Sequence, residues 1–335
     1  VLGKSEFEMK VEEEKKLVAE LTLPEQDEKV ISTTNDTLTL GAGDNYYAAA
    51  GGIELDKDVS GKTVTIDGAK IGKEGGEKST TFTDGALFGK PGETVNVTFA
   101  NGSVYGGYTQ TGNAADNAVT LNDGAKAKNI YAGYTETGSA SENTVAFNGG
   151  TVTENLYGGY TAKGSAVSSD VTIAGGKIGG GVYGGSTESG SASGNTVTLK
   201  GGEVAGEVYG GYAKSGTASN NTVDWYGGAI GGGLYGGYAN GAESKEGNTL
   251  NLYAANRTAE YVGGFQNYNF NLPEGFAADD TMLTVTGKES LDFADVSVGL
   301  NGYESGKAIL VYTPNASITG FTARREVGEF KDEDL

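Results

Sequence analysis

The sequence contains no cysteine and no histidine, and only four prolines and one tryptophan in 335 residues. Without histidine the chain lacks the usual general base and the commonest transition-metal ligand. Without cysteine it has no disulfide, which fits a reducing compartment and equally fits an exported bacterial chain that stays unfolded during secretion. No run of about 18 apolar residues occurs, so no segment reads as a transmembrane helix. Basic residues are few, 24 against 44 acidic, for a formal net charge of −20. Such a surface repels phosphate backbones, which argues against nucleic-acid binding; what it attracts is cations or a basic partner. The opening stretch "VLGKSEFEMKVEEEKK" lacks the apolar core of a signal peptide.

What the chain has in abundance is glycine, 58 residues, without the Gly-X-Y period of collagen. It also has a repeat. Tyr105, Tyr131, Tyr157, Tyr183, Tyr209 and Tyr235 follow one another at steps of 26 residues, each within a motif close to "VYGGYT". Other columns keep the same step. Val119, Val145, Val171, Val197 and Val223 form one, and Leu121, Phe147, Ile173, Leu199 and Trp225 stand two residues on. Val104, Ile130, Leu156, Val182, Val208 and Leu234 form a third, and Gly124, Gly150, Gly176, Gly202 and Gly228 a fourth. One residue is inserted near Gly241, after which "VGGF" stands where "YGGY" is expected.

This period is too short for a βαβ unit or a four-stranded propeller blade. The Thr/Val alternation and the glycine load exclude helical repeats, since each interior glycine costs a helix roughly 1 kcal/mol. A coil of two or three short strands stacked on its neighbours fits: an all-β parallel β-helix with 26-residue coils. At ~4.8 Å per coil the chain would form a rod of roughly 50 Å or a little more. Pro24, Pro91, Pro273 and Pro314 all fall outside the regular block, where every N–H is needed by a neighbouring coil.

Four regions follow: a charged segment or cap at 1–35, irregular coils at 36–101, regular coils at 102–265, and closing coils with a capping segment at 266–335. In the first, "MKVEEEKKLVAEL" reads as one or two amphipathic helical turns with Val11, Leu17, Val18 and Leu21 on a stripe. In the second, "DTLTLGAG", "KTVTIDGAKIG" and "ETVNVTFANGSVYGG" read as strands closed by turns. In the last, "DTMLTVTG" and "KAILVYTP" read as strands, and the final "KDEDL" as an acidic end.

Side-chain alternation points the Tyr105 file outward. It gives inward parity to Tyr108, Tyr134, Tyr160, Tyr212 and Tyr238 unless the Gly-Gly pair bends the chain; Ser186 replaces one member. An exposed tyrosine ladder could stack on sugar rings or on another protein, which makes Tyr105, Tyr131, Tyr157, Tyr183, Tyr209 and Tyr235 the candidate ligand-binding residues. The alternative is that both files pack structurally. Asn117, Asn143, Asn195 and Asn221 form a further file, expected to be a structural ladder of amides, with Ser169 in one place. The loops after each tyrosine motif vary most, either as a solvated rim or as the seat of specificity.

No catalytic, metal or cofactor site is read. Asp170 and Asp224 stand singly in different columns, and no carboxylate cluster is read across adjacent coils; glycoside hydrolysis needs two placed carboxyls. The motif "YGGY" lacks the lysine and following helix of a phosphate loop. A carboxylate pair drawn from Asp56, Asp58 and Asp67 is the remaining route to a carbohydrate-processing enzyme.

The repeated "VYGGYTxxGxAxxNTVTLxGG" resembles the passenger regions of autotransporters, the type V secreted proteins of Gram-negative bacteria. "NYNFNLPEGFAADDTMLTVTG" (Asn267 to Gly287) followed by "KAILVYTPNASITG" looks like the stretch that closes such passengers. The resemblance covers about residues 36–320. It implies a right-handed β-helical stalk displayed at the bacterial cell surface or secreted, with a leader and an outer-membrane barrel separate from or removed from this chain. It implies a non-enzymatic, adhesin-like or structural role, with a host-surface glycan or protein, or a second copy of the chain, as partner. A self-assembling filament or surface-layer subunit is the second expectation.

Overall fold

A computed structural model describes residues 103–277, 280–302 and 308–321 in full, and before residue 103 the backbone of seven strands. The segment from Glu93 to Gly102, the residues Asp56, Asp58 and Asp67, and the closing "KDEDL" lie outside the described residues.

The chain is a parallel β-helix. Among the described residues its long sheets hold ten, nine, seven and five strands, and within them almost every neighbour is the next coil rather than the next strand in sequence. The coil that starts at Leu156 shows the plan: strands Leu156–Thr161, Ala166–Val167, Asp170–Ile173 and Lys177–Ile178, one for each sheet. A regular coil therefore has four strands, where two or three were expected. The register is that of the repeat: Ile130 pairs with Val104 and Leu156, and Val145 with Val119 and Val171. Successive coils thus share main-chain hydrogen bonds, and every residue type stands in a vertical file.

The inward files make the core. Members of the Val104, Val119 and Leu121 files are buried throughout, and Ala127, Val152, Ile178, Val204 and Ile230 supply a fourth inward file on the seven-stranded sheet. Phe147 and Trp225 fill the interior where neighbours are smaller. Each such aliphatic side chain contributes about 1.5–3 kcal/mol through burial. Gly124, Gly150, Gly176, Gly202 and Gly228 close the turn after the ten-stranded sheet with φ from +75° to +86°, a region L side chains avoid.

The described residues of the N-terminal segment are strands, not the helical turns expected. Glu6–Glu12 and Lys16–Thr22 are antiparallel strands, with Phe7 opposite Leu21 and Val11 opposite Leu17. Apolar residues at every second position (Phe7, Met9, Val11) carry strand period, and this outweighs the coarser stripe at helical spacing. "DTLTLGAG" and "KTVTIDGAKIG" do contain strands, Thr37–Leu40 in register with Thr63–Ile66 and, further along, Lys70–Lys73.

Past Gly241 the coils change length. Thr249 pairs with Asn267 and Asn267 with Ser297, so one coil is short and the next long. Phe265 is fully buried and takes a core place, while Gly263 pairs with Tyr235. The closing segment continues the stack: Thr281–Val285 lies parallel between Arg257–Ala259 and Ile309–Tyr312.

Candidate interaction face

The nine-stranded sheet carries the "YGGY" motif, and its outer surface is a double file of tyrosines. In the first file the rings of Tyr105, Tyr131, Tyr157, Tyr183, Tyr209 and Tyr235 stack at centroid distances of 4.9, 4.7, 4.7, 5.1 and 5.0 Å, with planes no more than 13° apart. These are strand spacings, as the stacking of coils requires.

The second file is outward as well, which corrects the inward parity that alternation gives it. Along Leu156–Thr161 the leucine is buried, Tyr157 half-buried, Gly158 and Gly159 buried, Tyr160 half-buried and Thr161 buried. Two consecutive glycines face inward and shift the alternation by one residue. They are glycines because of what they face. A Cβ on Gly185 would lie 2.4 Å from Nδ2 of Asn195, and one on Gly133 would lie 2.4 Å from Nδ2 of Asn143. The first glycine of the pair has a natural exception, Ala132, which is buried without a break in the stack.

The second file stacks as Tyr108–Tyr134–Tyr160 at 5.2 and 5.0 Å and as Tyr212–Tyr238 at 5.9 Å. Between the files the rings meet edge to face: Tyr105–Tyr134 at 5.4 Å and 89°, Tyr131–Tyr134 at 5.4 Å and 90°. The eleven rings form a herringbone running along one side of the rod. Such edge-to-face and offset pairs contribute about 0.5–1.5 kcal/mol each beyond area burial. Within a file the ring faces are covered by the neighbouring rings, so the surface offers edges and hydroxyls. Stacking of a sugar on an open ring face, the contact expected of these residues, is therefore restricted to places where a file is interrupted.

The hydroxyls have definite partners. Tyr134 donates to Glu136 at 2.8 Å, Tyr238 to the Gly241 carbonyl at 2.9 Å, and Tyr261 to Glu243. Glu188 accepts from Tyr160 at 3.4 Å and pairs with Lys214 at 2.7 Å. Burial, reinforced by neighbouring tyrosines and carboxylates, raises the phenol pKa values. Those of Tyr160, Tyr183 and Tyr235 reach about 12, and Tyr131, Tyr157 and Tyr209 are raised further.

The asparagine file lies inside, at the corner between the five- and ten-stranded sheets. Asn117, Asn143, Asn195, Asn221 and Asn248 are fully buried. Asn221 donates from Nδ2 to Asn248 Oδ1 and to the Ala192 carbonyl, both at 3.0 Å; its own Oδ1 accepts from the backbone N–H and the Nδ2 of Asn195, also at 3.0 Å. Apart from Asn117 Oδ1, which is buried without a hydrogen bond, the amides so satisfy one another and the backbone of a sharp corner, whose preceding residue is left-handed at Asp116, Glu142, Ser168, Asn220 and two glycines. Ser169 breaks the file, and its hydroxyl is buried without a hydrogen bond.

A second polar file was not singled out in the sequence. Thr135, Thr161 and Thr187 are buried, and each donates to a glycine carbonyl of the preceding coil at 2.7–2.8 Å. The signal was present in the motif itself, a threonine after the second tyrosine with glycine three residues on. At Ala213 and Ala239 the threonine is lost. There Asn240 bonds Gly216 through both its amide nitrogen and oxygen, at 2.8 and 3.1 Å.

Asp170 and Asp224 stand in different files, as expected, and Asp224 accepts from Asn251 at 2.7 Å. One adjacent-coil carboxylate pair went unread. Asp116 and Glu142 occupy the same corner in successive coils, but both are exposed there and left-handed, in a position that serves the turn. No family model matches the chain, and no curated protein and no solved structure is similar to it.

Proposed function

We propose that the chain is a non-enzymatic, surface-exposed β-helical passenger of the autotransporter type, a stalk that contacts a host glycan or protein through its tyrosine face. The observation that supports this reading is the herringbone itself, an apolar surface of eleven half-buried phenols on a chain of formal net charge −20. Phenol edges and hydroxyls combine apolar area with hydrogen bonding at low entropic cost, which suits them to a binding surface. The test is a glycan and cell-surface protein array probed with the wild type and with a Tyr131→Ala/Tyr157→Ala variant. Binding that is lost in the variant, while the fold is kept, supports the face; binding that is unchanged contradicts it.

One observation favours the second reading, a self-assembling subunit. At the last described coils Tyr312, Ile318 and Phe321 are 52%, 44% and 51% exposed, an apolar edge that a second copy could cover. Electron microscopy across a concentration series separates the two, because particle length grows with concentration only in an assembling subunit.

A further inference from the structure

The second tyrosine file lacks one ring. Ser186 stands in register between Tyr160 and Tyr212, and the strands around it are otherwise unchanged. Tyr160 stacks on Tyr134 on its far side and Tyr212 on Tyr238, so each has one face turned toward the gap. The separation is two coil steps, about 9.6 Å at the strand spacing, which is the room one ring occupies elsewhere in the file. Behind the gap the first file is intact, with Tyr157 and Tyr183 stacked at 4.7 Å. In complete parts of the herringbone a second-file ring meets the first-file rings of its own coil and the coil before, as Tyr134 meets Tyr131 and Tyr105. At the gap those two rings are Tyr183 and Tyr157.

The polar end matches as well. Tyr134 donates its hydroxyl to Glu136, two residues on. The residue in that relation to Ser186 is Glu188, a carboxylate at the rim that pairs with Lys214 at 2.7 Å and accepts from Tyr160 at only 3.4 Å.

From this we propose that the gap at Ser186 is a binding slot for one phenolic ring. The ring would stack between Tyr160 and Tyr212, take the edges of Tyr157 and Tyr183, and donate its hydroxyl to Glu188. The phenol could be a tyrosine side chain of a partner or a free phenolic compound. The slot rests on this local geometry, whatever the face as a whole contacts.

The test is an NMR titration of the full chain with p-cresol, toluene, methyl β-glucoside, N-acetyltyrosinamide and a short tyrosine-containing peptide. We expect saturable one-to-one binding of p-cresol and N-acetyltyrosinamide with a dissociation constant on the order of 1–10 mM, and severalfold weaker binding of toluene, which has no hydroxyl. A peptide at least tenfold tighter than p-cresol identifies a partner's tyrosine as the source, and equal affinities identify a free phenol. Ser186→Tyr completes the file and should reduce binding at least tenfold. Tyr160→Ala and Tyr212→Ala each remove one wall and should weaken it severalfold, which keeps the test intact should Ser186→Tyr fail to fold. Equal affinity in wild type and all three variants, absence of saturable binding, or tighter binding of the glucoside than of p-cresol would overturn the proposal.

Discussion

The amide of Asn195 occupies the space where a side chain on Gly185 would begin: a methyl carbon at residue 185 would stand 2.4 Å from Asn195 Nδ2. The outer tyrosines and the inner asparagines are therefore one construction. The second glycine of the motif is small because an amide locked into a hydrogen-bonded file stands behind it, or at Gly159 the side chain of Ser169, and its inward turn is what puts the second tyrosine outside.

Gly185→Ala should accordingly destabilise the chain by about 2 kcal/mol or more, by forcing the amide out of its file. Gly184→Ala should cost less: its methyl carbon would meet the Gly210 carbonyl oxygen at 2.4 Å, but Ala132 shows that a coil accommodates a methyl group at that position. Thermal unfolding followed by fluorescence of Trp225, the one tryptophan and fully buried, checks both.

The amide file makes two predictions of opposite sign. Asn221→Ala leaves the Asn195 N–H and the Ala192 carbonyl buried without their partner, at about 1–3 kcal/mol for each such group. Ser169→Asn should do the reverse. The buried Ser169 hydroxyl has no partner, and an amide there could reach the Ala140 carbonyl as Asn143 reaches that of Ala114. A gain of about 1 kcal/mol is expected, seen as a higher melting temperature.

Much of this was legible in the sequence, because in-register stacking turns a 26-residue period directly into vertical files. The Val119 and Leu121 columns could be assigned to the core, Gly124 and its equivalents to turns, and Asn117 and its equivalents to an amide ladder from their spacing alone. The orientation of Tyr108 could not: alternation carried through the two glycines points it inward, and the exception left open in the sequence, a break at the Gly-Gly pair, is what occurs. Nor could the coverage of the ring faces, which depends on ring tilt. The N-terminal strands were obscured by charge and by two overlapping periods in "MKVEEEKKLVAEL".

Alkaline pH should unfold the protein through the tyrosine face. A phenol whose pKa is higher in the folded state holds its proton more tightly there. The stability this supplies is complete below the unfolded value near pH 10 and is lost as pH rises through the folded values, about 12 for Tyr160, Tyr183 and Tyr235. An absorbance titration should show most phenols ionising together with the loss of β-sheet circular dichroism. Full ionisation near pH 10 with the sheet signal intact would contradict burial of the files.

The most direct measurement of the central claim uses the absence of cysteine. Ala146 and Thr172 point outward and pair across adjacent coils, so Ala146→Cys/Thr172→Cys places two thiols a strand spacing apart on a background free of others. The stacking of coils in register predicts an intramolecular disulfide on mild oxidation, and none for Ala146→Cys/Asp224→Cys, whose sites lie three coils apart. Failure of the first pair to close, or equal closure of both, would contradict it.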